Sequence, residues 1–406
     1  MKNVYPYITN DGSVGLYSPE FDDIYHSTFG AYAEACEKFV IPSDLDFYIE
    51  NFLELNVLDI CYGIGYNTKS FLNFYLKKYH EQNKCNETIY SNNISTKNGE
   101  CKKSKVYINA IDNDKFLVYL SPFFACNAKR KPRNQNLPTE KVKKLSEDVI
   151  KQLYDYENFI NLILIDKISL SCSDFLQDGS IKNFITNQSQ NIFLEKNSVF
   201  YYKKTQNNRI QTSFLGTLSA LLHNIYYQNV STSYKKALNA LKNVDLSIDY
   251  NIDDARKVVL ADNNHYHLVF LDAFTPTKCP CLWSLDFFKL LYERLDDNGR
   301  ILTYSNSAQI RNAFINAGFY VGKIFNQRTK TYTGTIAVKN PDFIKHQLSE
   351  YDLSLMKTRA GIFYRDENLS ALNESIVERH KKDVENSPLI SSSKFIKQYR
   401  KEHQNV

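Results

Sequence analysis

The sequence predicts an α/β fold of the doubly wound, Rossmann-like kind, with about seven strands, an N-terminal hairpin and cap, and a large insertion. Three observations carry this. Val57-Leu58-Asp59-Ile60 is a short, mostly apolar run, then Gly63 and Gly65 stand one residue apart, and Thr68 to Tyr79 is amphipathic. Strand, glycine turn, helix is a nucleotide-binding arrangement, because glycine lets the backbone approach a ligand and a helix N-terminus favours polar or anionic groups. Second, further apolar runs end in an acid, as Val106–Ile111 does at Asp112 and His267–Leu271 does at Asp272. Third, segments of helical period alternate with these runs, the pattern of a parallel sheet with crossover helices.

The chain has 406 residues, 43% hydrophobic and 23% charged, enough for a large core and one large or two ordinary domains. No apolar run is long enough to span a bilayer, and Met1–Pro6 lacks the apolar core of a secretion signal, so a cytoplasmic protein is expected. The 8 cysteines are scattered, with none in Cys-x-x-Cys. Cys279 and Cys281 lie near His265 and His267 in sequence, but the spacing matches no zinc pattern, and no metal is expected. Net charge is +5, yet Lys115 to Asp245 holds 18 Lys and Arg against 10 Asp and Glu. A locally basic stretch suits a polyanionic partner, and solvated surface lysine accounts for it equally well.

In chain order, Tyr5–Tyr17 reads as a hairpin around Asn10-Asp11-Gly12, and Gly30–Val40 as a helix carrying Glu34. Together they form an N-terminal cap, residues 1–45. The main domain is expected over 46–339. Glu81–Lys105, rich in Asn, Lys and Ser, reads as a loop. Asp112, at the end of the second strand, either holds ribose hydroxyls or caps the helical segment from Lys115 to Phe124. Residues 116–243 read as an insertion, because crossovers between sheet strands are usually short. Within it Asn127–Pro138 is basic, and Phe159–Ile165 is a buried strand or helix. Lys129, Arg130, Lys131 and Arg133 are candidate phosphate contacts, and the Tyr, Phe, Lys and Arg content suits RNA. The sheet resumes at Val244–Tyr250, and Asp254 stands where a short helix opens. Strands at His267–Leu271, Gly299–Ser305, Gly318–Ile324 and Thr335–Val338 follow, with helices at Leu285–Leu295 and Ser307–Ala317. The charged tail, 340–406, is partly helical with Gly361–Asp366 as an ordered island.

An acid late in the strand followed by Gly-x-Gly is similar to motif I of class I S-adenosylmethionine-dependent methyltransferases; a dinucleotide fingerprint would need a third glycine where Thr68 stands. Four stretches together resemble one family, the methyltransferase module of MnmC, which finishes 5-methylaminomethyl-(2-thio)uridine at the tRNA wobble position. Asp11-Gly12-Ser13 with Tyr25-His26-Ser27, Gly30 and Glu34 resembles its N-terminal signature. Asp59 to Asn67 resembles its motif I, with Cys61 in place of the first glycine. Leu271–Pro276 with Lys278, Pro280 and Trp283 resembles its most specific block. Tyr304-Ser305, Arg311, Ala317-Gly318-Phe319, Gly334-Thr335 and Gly361–Asp366 resemble its C-terminal part. The insertion has no counterpart in that pattern.

The resemblance implies S-adenosylmethionine as cofactor, held by Asp59, Gly63, Gly65, Asn67, Asp112 and Asp254, with tRNA as partner. It implies Asp272 as the catalytic base that receives the proton of the substrate amine, and substrate contacts from Tyr25, Ser27, Glu34, Phe274 and Trp283. A helix cap is the other reading of Asp254, and a turn cap that of Asp272. No second glycine-rich nucleotide unit stands in the chain, so the methyltransferase alone is expected, without the family's flavin-dependent oxidase domain. Two rival functions share the fold: a class I transferase acting on another amine, such as a small-molecule N-methyltransferase or an aminopropyltransferase, and a non-catalytic RNA-binding protein.

Overall fold

A computed structural model describes residues 5–9, 11, 13–18, 23–25, 30–90, 103–123, 157–172, 203–204, 210–211 and 238–403. Its central feature is a mixed seven-stranded sheet. The strands are β4 (Glu54–Ile60), β5 (Ser104–Asp112), β8 (Val244–Ile252), β9 (Tyr266–Leu271), β10 (Leu295–Thr303), β11 (Tyr320–Asn326) and β12 (Thr331–Val338). Their order is β11-β12-β10-β9-β4-β5-β8. All pairings described are parallel except those of β12, which runs antiparallel to β10 and β11. Residues 1–55 with 62–252 form one compact unit, and residues 56–61 with 253–406 form another.

The first unit opens with the expected hairpin. β1 (Tyr5–Ile8) pairs with β2 (Val14–Ser18), so that Ile8 faces Val14 across the turn, and β3 (Asp23–Ile24) adds to β2. Asp11 in that turn accepts from the Thr9 hydroxyl (2.7 Å), the Ser13 amide (2.9 Å) and, through its other oxygen, the Ala33 amide (2.9 Å). Ala33 lies in α1 (Ala31–Ala35), which continues as a π-turn, Cys36–Val40. A carboxylate on the free N–H groups of a helix start satisfies them and opposes the positive end of the dipole. Gly30 precedes α1 at φ +147°, and a side chain there would collide with the Asp11 carboxylate. The Asp11, Ser13 and Gly30 positions of the N-terminal signature thus form a clasp between hairpin and helix. α2 (Leu45–Asn51) leads into β4.

α3 runs from Tyr66 to Tyr90, well past the expected end at Tyr79. Residues 81–90, expected as loop, are helical: they are polar but contain no Gly or Pro, and Glu, Gln and Lys are good helix formers. The apolar run at Phe159–Ile165 resolves as helix, part of α5 (Glu157–Ser171), whose Ser171 hydroxyl donates to the Ile248 carbonyl of β8 (2.9 Å). A short ribbon pairs β6 (Lys203–Lys204) with β7 (Ile210–Gln211). The other elements expected within 116–243 fall largely outside the described residues.

In the second unit, α6 (Ala255–Ala261), α7 (Leu285–Arg294) and α8 (Ala308–Asn316) alternate with β9, β10 and β11. β10 begins at Leu295 rather than Gly299, through an irregularity between Leu295 and Arg300. Phe288 of α7 stacks on Phe314 of α8 at 3.8 Å, tying the two helices. The tail adds α9 (Glu350–Met356), α10 (Asn373–Asn386) and α11 (Ser392–His403).

Arg311, read from sequence as part of a C-terminal motif, is structural. Its guanidinium donates to Thr335 Oγ1 (3.0 Å), Asn306 Oδ1 (2.9 Å) and Asp352 Oδ1 (3.0 Å), and Lys323 donates to Asp352 Oδ2 (2.9 Å). Burial of Asp352 favours its neutral form, but the hydrogen bonds from Lys323 and Ser349 and the Arg311 charge prevail and hold its carboxyl down to about 2. A carboxyl lowered on folding adds stability above its unfolded pKa, near 4, and that stability is lost as pH falls toward 2. Between those values the melting temperature of the wild type is expected to fall more steeply with acid than that of Asp352→Asn. Parallel slopes would remove Asp352 as a source of acid sensitivity.

Candidate active site

In the first unit, the chain leaving the sheet turns through Tyr62–Gly65 into α3. Gly63 and Gly65 take φ +56° and +76°, the left-handed region that glycine enters without penalty. Two backbone bonds anchor the turn: Tyr62 N–H donates to the Ile111 carbonyl (2.9 Å) and Gly65 N–H to the Tyr62 carbonyl (2.8 Å). Gly63 N–H donates to Asp112 Oδ2 at 2.7 Å. The acid ending β5 is therefore in direct contact with the glycine turn. Its other oxygen accepts from Asp114 N–H (2.9 Å).

The two readings of Asp112 separate here. The residue that caps α4 (Lys115–Leu120) is Asp114, which accepts from Phe116 N–H at 3.0 Å. Asp112 sits at the turn instead, with its carboxylate on the Gly63 N–H. Asn67 lies buried in the first turn of α3.

Several residues at this turn carried no signal in sequence. The Tyr62 hydroxyl hydrogen-bonds Ser121 Oγ (2.9 Å), and the ring packs edge-on against Tyr250 at 5.4 Å. A Cβ on Gly65 would collide with that ring, so Gly65 is required by Tyr62 as well as by its φ. Lys69, fully buried, donates to the Ser121 carbonyl (2.5 Å) and lies over the Tyr66 ring at 5.1 Å. Tyr62 and Lys69 converge on Ser121 from the far end of α4, a contact that no local pattern announces.

The N-terminal candidates fare differently. Glu34 forms an ion pair with Lys38 one turn on, so its carboxylate serves α1 and the π-turn that follows. Tyr25 is half-buried and its N–H donates to the Leu16 carbonyl (2.8 Å). Ser27, Lys129, Arg130, Lys131 and Arg133 lie outside the described residues.

In the second unit, β4 and β9 are parallel neighbours, with Asp59 in register with Phe270 and Ile60 with Leu271. Doubly wound sheets bind ligands beyond the C-terminal strand ends where the strand order reverses, and β4 and β9 flank that point. Asp59 is fully buried. Cys61, which follows β4, takes φ +65°. This is the left-handed conformation that the motif's usual glycine would adopt freely, so the turn keeps its shape at a cost on the order of 1 kcal/mol in strain.

Asp272 follows β9, is half-buried, and donates its N–H to the Ile60 carbonyl at 3.3 Å. The loop beyond it is tied from two sides. Tyr304, after β10, donates its hydroxyl to the Ala273 carbonyl (2.9 Å), and Trp283 Nε1 donates to the Phe274 carbonyl (2.8 Å). The Trp283 and Tyr304 rings meet edge-to-face at 5.7 Å. Trp283 is fully buried, and its described contacts hold the loop. Phe274 is half-buried and is fixed through its backbone. Trp283→Phe would keep an aromatic ring of smaller volume but strip the Phe274 carbonyl of its donor. It is expected to lower stability by about 1–3 kcal/mol, read as a shift in denaturant midpoint, and to slow turnover. An unshifted midpoint would show that the bond contributes nothing.

Asp254 caps α6 by accepting from Arg256 N–H (2.9 Å), and the Arg256 guanidinium reaches both its oxygens (2.6–3.2 Å). The same guanidinium spans to the buried Asp366 (2.6 Å) and the Ala371 carbonyl (2.9 Å). Burial opposes ionisation of Asp254, yet the hydrogen bonds and charge of Arg256 hold its carboxyl below the ordinary value. The capping alternative describes the contacts Asp254 makes. Asp366 ends the expected island, which Arg365 also anchors through Asp286 (3.0 Å).

Among the described residues, no group of three or more His, Cys, Asp or Glu side chains is placed to hold a metal ion. His267 Nδ1 accepts from Asn56 N–H (3.0 Å), and the Cys279 and Cys281 sulfurs lie 3.8 Å apart. No helix of the described residues is long and apolar enough to cross a membrane.

The strand order, the left-handed glycine turn against Asp112 and the acid after β9 define a class I S-adenosylmethionine-dependent methyltransferase fold. A family model described as S-adenosyl-L-methionine-dependent methyltransferase matches residues 218–340, so S-adenosylmethionine is the cofactor of this module. Two relatives are tRNA 5-methylaminomethyl-2-thiouridine biosynthesis bifunctional proteins MnmC. That of Burkholderia multivorans is 38% identical over 55 residues, 14% of this chain and 8% of its own length. That of Vibrio vulnificus is 25% identical over 130 residues, 31% and 19% of the two chains. The uncharacterized protein MJ0670 of Methanocaldococcus jannaschii is 34% identical over 133 residues, 32% and 37% of the two chains. The match thus spans well under half of each curated relative. MNMC2 from Aquifex aeolicus shares the fold, with TM-score 0.51 and 19% identity over 95% of this chain and 86% of that one. The chain carries an MnmC-like methyltransferase module.

The residues present fit the cofactor. A carboxylate at the end of β5 touches a turn whose two glycines are left-handed, which is the donor and acceptor set that a nucleoside ribose requires.

Proposed function

We propose that this protein methylates the primary amine of 5-aminomethyl-(2-thio)uridine at the wobble position of tRNA, yielding the 5-methylaminomethyl nucleoside. The observation that carries the reading is the Asp272 loop: a carboxylate directly after β9, in the motif most specific to the MnmC likeness, on a backbone held by Ile60, Tyr304 and Trp283. The role for which the MnmC relatives are named supports the same substrate.

Bound S-adenosylmethionine supplies an electrophilic methyl group on a sulfonium. The chain's own residues do the rest. Gly63 and Gly65 keep the backbone of the turn open, and Asp112 accepts the ribose hydroxyls. A primary alkylamine is mostly protonated at neutral pH and cannot attack carbon. Asp272 holds the ammonium by hydrogen bonds and takes its proton, so that a neutral amine with a free lone pair is delivered in line. The carboxylate is then protonated, and the second proton leaves the methylated amine to solvent. Lys129, Arg130, Lys131 and Arg133 belong to this reading as phosphate contacts, and the cytoplasm is where such a tRNA would be met.

Nucleoside analysis of tRNA from cells lacking the protein tests the reading. Accumulation of the unmethylated 5-aminomethyl nucleoside, reversed by adding purified protein and S-adenosylmethionine, is the expected result. A purified protein that binds S-adenosylmethionine but leaves such tRNA unmethylated would point to another amine substrate.

A further inference from the structure

We propose that the β11–β12 hairpin is a second contact surface for the RNA substrate, gripping the single strand a few nucleotides from the modified base; this rests on the RNA reading above. The first argument is topological. β10 is parallel to β9, β12 is antiparallel to β10, and β11 is antiparallel to β12. β11 therefore points the same way as β9. Its C-terminal end and the turn Gln327–Lys330 emerge on the same edge of the sheet as Asp272. Three strand spacings separate β9 from β11 along that edge, about 14 Å. At 3.4 Å per stacked nucleotide this is on the order of four nucleotides, and fewer where the strand is unstacked to present a base.

The second argument is charge. No Asp or Glu occurs from Asn298 to Pro341, a stretch with six Lys and Arg, of which Arg300 and Arg311 are buried and Lys339 pairs with Asp297. Arg328 and Lys330 both lie exposed in the turn itself. The nearest acid with contacts on the hairpin, Asp352, is matched by two cations, Arg311 and Lys323. A turn that carries two exposed cations and no acid suits a polyanion.

The third argument is aromatic. Tyr332, just past the turn, is 44% exposed although it is braced on several sides. Phe325 lies 5.2 Å from it, His346 6.0 Å, and the Lys323 ammonium 4.2 Å from its ring centroid. A braced, partly exposed ring two residues from Lys330 is the arrangement that stacks on an unpaired base while the exposed cations of the turn meet phosphates. The hairpin also cannot drift from the edge. Asn306 Nδ2 donates to the Tyr332 carbonyl (3.2 Å), and Thr335 Oγ1 donates to the Ser305 carbonyl (2.6 Å).

The test is fluorescence anisotropy with a labelled anticodon stem-loop RNA, titrated over a range of salt, with S-adenosylmethionine affinity measured by calorimetry on each preparation. The double variant Arg328→Gln with Lys330→Gln is expected to reduce the slope of log K against log salt by about 1.5 to 2. Tyr332→Ala is expected to weaken RNA binding about 5- to 100-fold, while Tyr332→Phe, which keeps the ring, binds as the wild type does. Cofactor affinity should be unchanged in all three. Wild-type affinity and salt slope in the double variant, or full binding by Tyr332→Ala, would overturn the hairpin surface while leaving the RNA reading in place. A wild-type protein that binds the cofactor but no RNA would overturn both.

Discussion

An Asp272→Asn variant is expected to lose about 10²- to 10⁴-fold in single-turnover methylation of 5-aminomethyl-uridine tRNA, the usual loss of a positioned base. Its S-adenosylmethionine affinity and melting temperature should change little. The substitution preserves shape and reach, and removes the charge and the ability to accept a proton. The expectation is sharp because the backbone at this point is held independently of the carboxylate. Asp272 N–H bonds the Ile60 carbonyl, and the next two carbonyls receive the Tyr304 hydroxyl and the Trp283 indole N–H. The turn that follows is closed by the Thr275 carbonyl, which accepts from Lys278 N–H (2.8 Å) and Cys279 N–H (3.1 Å). If the carboxylate merely stabilised this loop, the variant would lose melting temperature before it lost rate. Both quantities are measured on one preparation, and a stable Asp272→Asn protein with near-normal turnover would end the catalytic assignment.

Asp112→Ala is expected to weaken S-adenosylmethionine binding about 10- to 100-fold, since hydrogen bonds to a charged acceptor contribute about 1.5–3 kcal/mol each. The variant loses the acceptor for ribose and also the anchor of the Gly63 N–H. Asp114→Ala, two residues away, is the matched control. It removes the α4 cap and should cost about 1 kcal/mol of stability with cofactor affinity intact. Calorimetry and thermal melting on the pair separate the roles. Equal behaviour of the two variants, or full affinity in Asp112→Ala, would move the ribose contact elsewhere. A bulky residue at Gly65 is a poorer probe, because it would strike Tyr62 and distort the turn before it met any ligand.

The strands that frame the candidate site are legible in the amino-acid order. Apolar runs that end in an acid or a glycine turn announce buried strands and their C-terminal ends, because burial of a parallel strand demands continuous apolar residues. Val57–Ile60, Val106–Ile111 and His267–Leu271 all lie in strands, and Asp112 ends β5 while Asp272 directly follows β9. Element ends were less legible. α3 passes through residues 81–90, where polar composition reads as loop but propensity favours helix, and only packing and the absence of Gly or Pro decide. The packing of Trp283 is a further case: an aromatic that follows an acid at a strand end reads the same in sequence whether it faces solvent or the core.

What the sequence by itself determined is the local grammar: which runs are strands, where the glycine turn opens a helix, and which acids stand at strand ends. Each follows from interactions among near neighbours, namely periodicity, side-chain volume and allowed φ. What only the tertiary structure decided is the partner of each polar group. Asp114 stands directly before α4 and caps it, and the fold brings the Gly63 N–H to Asp112. Asp254 meets Arg256 locally, but the second partner of that guanidinium, Asp366, arrives from 110 residues away. Tyr62 and Lys69 find Ser121 across more than 50 residues. A buried donor or acceptor must be satisfied, and which distant group satisfies it depends on how the chain closes in space rather than on what stands beside it in order.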